Sequence, residues 1–149
     1  MNTFIDCPQF TTSYTPIEMF EKGIFGNAYF KRKTTDIPTI FEEELKSIGY
    51  INLLYSNTKL NFYKVESGNS LDWWLKRNLI HKDDPNGWVE WYIKFYYGRR
   101  HKDDERQIKR YNSFIRRHMG VLKNYPNSKK TKQNLLQWAW NFEDKLVYL

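Results

Sequence analysis

Residues 97–110, Tyr-Gly-Arg-Arg-His-Lys-Asp-Asp-Glu-Arg-Gln-Ile-Lys-Arg, concentrate the side chains best suited to holding a phosphate. A guanidinium group is a planar fork that grips two phosphate oxygens at once, which an ammonium group cannot do. Arg99 and Arg100 project from a corner made possible by Gly98, and Arg106, Gln107, Lys109 and Arg110 follow from the next helix. Tyr97 stands beside them as a ring on which a base could stack. With Arg117, Lys129 and Lys130 downstream, these residues form a candidate nucleic-acid contact set suited to a single-stranded, flipped or terminal nucleotide as much as to a duplex. The competing use is internal: Arg99 or Arg100 stacks on core tryptophans and pairs with Asp72, Asp83 or Asp84.

Catalytic fingerprints are absent: the chain holds no P-loop, dinucleotide glycine motif, HExxH or nucleophile elbow. Glu90, Asp72, Asp83, His81 and His101 are the acid–base groups near the motif, enough in type for a metal-independent glycosylase or a nuclease. Asp103, Asp104 and Glu105 need no catalytic role, because acids in the first turn of a helix suit its dipole. Cys7, His81, His101 and His118 form no zinc spacing, so neither a metal nor another cofactor is expected. Exposed Trp and Tyr would equally serve a protein-interaction adaptor.

The charge is regional. Residues 98–132 carry twelve basic side chains against three acidic, a net of +9, whereas the remainder carries 12 basic and 14 acidic, −2. Segregation of this kind is the footprint of a polyanion binder, DNA or RNA; a solvated face is the plain alternative.

The elements that must position these groups read as helices. Thr15, Pro16, Glu18 and Gly23 spell a capped helix start and a glycine stop. Asp36 to Gly49 repeats the pattern. "NSLDWWLKR" opens on Ser70 as a short helix, and "LNFYKVE" has strand character without an obvious partner. A further helix is expected with Asp84 as cap, Pro85 first and Gly98 after its end; Trp88, Trp91, Tyr92 and Phe95 recur on one face, with Glu90 and Lys94 as its polar seam. That stripe reads mainly as core. From Asp103 to Lys123, Ile108, Tyr111, Ile115, Met119 and Leu122 form the buried stripe. Arg106, Arg110 and Arg117 lie opposite within about 40° of one another at 100° per residue. A last helix starts at Ser128 and buries Leu135, Trp138, Ala139 and Phe142.

At 149 residues, with 40% hydrophobic and 18% aromatic content, the chain has the burial capacity of one domain and is not disordered. The expectation is a mainly α, compact single-domain helical bundle over 1–149, with room for one short strand or hairpin in the middle. No apolar run reaches the roughly 18 residues of a membrane span, and the N-terminus lacks a secretory pattern. The lone Cys7 suits a reducing compartment, cytoplasmic or nuclear.

"GWVEWYIKFYYGRR" followed by "DDERQIKRY" resembles the signature of a widespread, functionally uncharacterised family, GWF-x-WY-x-x-YY-x-GRR and then D-x-RQI-x-RW. "PIEMFEKGIFGNAYF", "LNFYKVESGNSLDWW" and "LLQWAWN" extend the resemblance over most of the chain. Val89 replaces the signature's Phe, Tyr111 its Trp and Asn27 its second Gly. The resemblance implies a shared fold and no particular reaction.

Overall fold

A computed structural model describes residues 1–25, 36–49, 62–63, 74 and 76–144. Most of "LNFYKVE" and "NSLDWWLKR" lies outside the described residues, although Trp74 and Lys76 are helical. The described residues are mainly α. In chain order they hold two short strands, β1 (Asn2–Thr3) and β2 (Thr11–Thr12), and the helices α1 (Pro16–Glu21), α2 (Thr39–Ser47), α3 (Trp88–Tyr96), α4 (Asp104–Asn124) and α5 (Lys129–Gln137). None of these helices is long and apolar enough to cross a membrane.

α1 forms as its capping residues dictate. The Thr15 hydroxyl accepts from the Glu18 N–H, and the Glu18 carboxylate accepts from the Thr15 N–H. Gly23, with φ of 69°, ends it in the left-handed region. α5 likewise begins where the Ser128 hydroxyl caps the Thr131 N–H.

α3 is the centre of the molecule. Its residues Trp88 through Phe95 are all buried, including Glu90 and Lys94. α1 packs against both α2 and α3, and α4 packs against α5. The expected start of α3 is corrected: Gly87, with φ of 92°, precedes the first helical residue. The chain instead turns through hydrogen bonds from Asp84 N to His81 O and from Gly87 N to Asp84 O. The Asp84 side chain does not cap, because other partners hold it.

The hairpin lies in the N-terminal segment, with Asn2 opposite Thr12 and Thr3 opposite Thr11. Its loop delivers Phe10, fully buried, against the rings of Trp88, Trp91, Tyr92, Phe95 and Tyr111. The Thr12 hydroxyl meets the buried Tyr92 hydroxyl at 2.7 Å, and the Tyr111 hydroxyl donates to Thr11 O at 2.8 Å. Burial drives the Tyr92 hydroxyl's pKa far upward, so this phenol stays a neutral hydrogen-bonding group. Stacked rings then run outward from Trp88 to Trp138, Phe114 and His118.

α4 buries Gln107, Ile108, Tyr111, Phe114 and Ile115, with Met119 and Leu122 half-buried at its far end. Gly120 sits inside this helix with helical backbone, and a Cβ there would meet nothing within 4 Å. Replacing Gly120 with Ala should therefore stabilise the protein by about 0.5–1 kcal/mol, chiefly by restricting the unfolded chain. Urea unfolding measures this, and a loss of stability would show that the open side of Gly120 is needed by the fold.

Candidate functional site

The corner between α3 and α4 is built on buried charge. α3 is apolar on almost every side, so its two charged residues are carried into the interior. Lys94 Nζ donates to Glu90 Oε2 at 2.8 Å and to Asp83 O at 2.8 Å, and lies 3.1 Å from Asp84 Oδ1. Arg99 closes the group with a two-pronged bond to Asp84, 2.8 Å to Oδ1 and 2.7 Å to Oδ2. Asn86 Nδ2 donates to the second oxygen of Glu90 at 2.7 Å. Two carboxylates thus face two cations, and Asp84 and Glu90 are fully buried. Glu90 and Lys94, read from the sequence as a polar seam, are corrected to interior residues. Burial works against the Arg99 charge, but the Asp84 carboxylate outweighs it and raises its pKa.

The neighbouring arginines are also engaged. Gly98, with φ of 112°, turns the chain so that Arg100 lies 3.7 Å over the Phe95 ring. Arg100 donates to both oxygens of Asp6, at 2.6 and 3.1 Å, and to Phe95 O. This hydrogen bond holds the Asp6 carboxyl below its usual range. Arg106 makes a two-pronged bond to Asp103, and with Arg110 it donates to Leu79 O. Gln107 is buried between Asp103 and Arg110. Arg110 lies between the rings of Trp74 and Trp138, where burial, helped by the Arg106 charge, pulls its pKa down to about 10. Tyr97 is half-buried and donates to Glu44 Oε2 of α2 at 2.7 Å. Arg106 and Arg110, which the helical period places opposite the buried stripe of α4, therefore have partners inside the protein. Asp103 lies just upstream, and the Leu79 carbonyl arrives from a distant loop.

The first-turn acids also serve structure. Asp104 accepts from the Trp91 indole at 2.8 Å and from the His101 N–H at 2.8 Å. Burial opposes ionisation of Asp103, yet Arg106 holds its pKa below the ordinary value.

Of the ten candidate contact residues, Lys109, Arg117, Lys129 and Lys130 are exposed, Arg100 is exposed but bonded to Asp6, and Tyr97, Arg99, Arg106, Gln107 and Arg110 are at least half-buried in internal bonds. Lys109 pairs with Glu105 at 3.0 Å, both well exposed, an arrangement that water competes with easily. Arg116 and Lys123 join this outer face. Lys109, Arg116 and Lys123 are spaced two turns apart on one line of α4, a periodicity visible in the sequence. Arg116, Arg117, Lys123, Lys129 and Lys130 are exposed and have no acidic partner among the described residues. Lys129 and Lys130 also occupy the first turn of α5, which holds no acid to match the positive end of its dipole. Tyr125, 69% exposed, lies in the loop between Lys123 and Lys129.

Asp84→Asn should cost about 3–5 kcal/mol, because it strands Lys94 and Arg99 with one buried carboxylate too few. Adding Lys94→Met should recover part of that loss. Denaturant unfolding of the single and double variants tests the pair, and additive losses would break the network into independent contacts. Acid offers a second handle. The Asp103 pKa is lowered on folding, so its contribution is complete above its unfolded value near ~4 and disappears as pH falls through the folded value. The stability gap between wild type and Asp103→Asn, read by urea unfolding, should be largest near neutral pH and shrink below about pH 4.

No protein-family model, curated protein or solved structure matches this chain.

Proposed function

We propose that the protein binds nucleic acid through the phosphate backbone, on the outer face of α4 and the start of α5. The observation that carries this reading is the set Arg116, Arg117, Lys123, Lys129 and Lys130, exposed and unmatched by acids among the described residues. Exposed lysine and arginine are tolerated anywhere. A cluster spanning two consecutive helices and the loop between them, with a local excess of positive charge, attracts a polyanion and releases its counterions. The start of α5 adds the positive end of a helix dipole, favourable to a phosphate oxygen.

Tyr125 completes the face. It is an exposed ring flanked in sequence by Lys123 and Lys129, and it takes the stacking role considered for Tyr97. An aromatic platform beside a basic track is the arrangement used for unpaired strands, because every base has a π-face. The favoured ligand is therefore single-stranded, with duplex binding weaker and insensitive to Tyr125.

Fluorescence anisotropy of labelled single-stranded DNA, duplex DNA and RNA tests this at low and near-physiological salt. Wild type should bind with a steep salt dependence, about 0.7 in log K per log salt for each single-strand phosphate contacted. The triple variant Arg116→Glu, Arg117→Glu, Lys123→Glu should lose more than about tenfold in affinity and most of the slope. Its unfolding free energy should stay within about 0.5 kcal/mol per exposed substitution. Tyr125→Ala should weaken single-strand binding by about 1–3 kcal/mol and leave duplex binding unchanged. Wild-type affinity in the triple variant removes this face from the reading.

A further inference from the structure

The loop before α3 and the corner after it bring together three potential ligands that no sequence spacing connects. His81 and Asp83 precede α3 and His101 follows it, and one ligand atom from each lies within 4.8 Å of the others. Asp83 Oδ2 is 2.8 Å from His101 Nε2 and 3.6 Å from His81 Nδ1. We propose that His81, Asp83 and His101 form a binding site for a first-row transition-metal ion of the zinc, cobalt or nickel type.

The two distances from the carboxylate fit an ion with small adjustments, and the imidazole nitrogens lie within 4.8 Å of each other. Ligands at 2.0–2.2 Å from a tetrahedral ion stand roughly 3.3–3.5 Å apart, between the two separations observed. Two imidazoles and a carboxylate suit zinc, cobalt or nickel, whereas magnesium and calcium take oxygen ligands. Access is open on one side: the Asp83 side chain is 46% exposed, while the His81 and His101 side chains are 18% and 16% exposed. Three protein ligands with an open side leave room for water at the remaining position.

The backbone already holds each ligand in place. Asp83 O accepts from Lys94 Nζ at 2.8 Å, which ties this residue to the buried charge network. His81 O accepts from Asp84 N at 3.0 Å, and His101 N donates to Asp104 Oδ2 at 2.8 Å. Anchoring of this kind is what lets a site bind without reorganising the fold.

His101 Nδ1 accepts from Asp103 N at 3.1 Å, so a neutral His101 carries its proton on Nε2 and donates it to Asp83. Coordination through Nε2 moves that proton to Nδ1 and gives up the one contact from Asp103. His81 Nδ1 carries no proton and accepts from Asp83 N at 3.1 Å, so coordination through Nδ1 takes over that lone pair and gives up this contact as well. The site is independent of the basic face. It stands at the start of α4, a helix of 21 residues and about 30 Å, and Lys123 lies at the other end.

The test uses tag-free full-length protein stripped with chelator, so that no engineered histidine competes. Cobalt(II) is titrated by visible absorption and zinc(II) by calorimetry and thermal unfolding. One equivalent of cobalt should give the absorption bands of a low-coordinate nitrogen and oxygen site, and zinc should raise the melting temperature. His81→Gln and His101→Gln should each weaken binding by at least about tenfold. His81→Gln leaves the Asp83–His101 hydrogen bond and the Lys94 anchor intact, so it decides the matter if His101→Gln misfolds. Absence of a visible band at one equivalent, or wild-type affinity in His81→Gln, overturns the assignment.

Discussion

The buried exchange of charge between Asp84, Glu90, Lys94 and Arg99 is the constraint on which the rest of the structure depends. α3 carries so many aromatic and aliphatic side chains that the core surrounds it, and Glu90 and Lys94 go inside with it. Two charges in a low-dielectric interior need partners with good geometry, or the helix would be expelled toward water. Lys94 answers Glu90, and the same ammonium reaches Asp84, whose remaining charge is balanced by Arg99. Asp84 lies before α3 and Arg99 after it, so satisfying the charges also fixes the entry and exit of the helix. The turn before Gly87, the corner at Gly98 and the meeting of His81, Asp83 and His101 all follow from that closure.

The same logic divides the basic segment in two. Arginines close to the core find carboxylates, backbone carbonyls and ring faces: Arg100 with Asp6 and Phe95, Arg106 with Asp103, Arg110 with Leu79 and two indoles. Guanidinium suits these places because it is planar, weakly hydrated and rich in donors. Toward the far end of α4 the core thins, Met119 and Leu122 are only half-buried, and the cations there face water. A run of similar residues therefore performs two jobs, structure near the corner and surface charge at the far end.

The N-terminal segment is the other fixed point. Phe10 fills the space among six rings, and the hydroxyls of Tyr92 and Tyr111 bond to the chain around Thr11 and Thr12. Ser13 N and Tyr14 N donate to Ala139 O, while Asn141 N donates to the Ser13 hydroxyl. The first residues and the end of α5 are thus held together around α3.

Local information was legible in the sequence wherever the cause is local. The Thr15–Glu18 box, the Ser128 cap, the glycine stops at Gly23 and Gly98, the aromatic face of α3 and the apolar stripe of α4 are decided within one or two turns. The mainly helical class follows from them. The N-terminal hairpin could not be read, since two-residue strands have no period, and neither could the insertion of Phe10. Asp84 looked like a cap because Asp before Pro is a good helix start; its partner Arg99 lies beyond the intervening helix and removed it from that role. Tyr125 and the Lys109, Arg116 and Lys123 line were present in the sequence, but residue type alone does not separate an exposed ring or cation from a committed one. The sequence by itself determined which residues form helices and where positive charge collects. Only the tertiary structure decided which charges are neutralised inside and which stay in water, because an ion pair is set by distances in space that chain order does not contain.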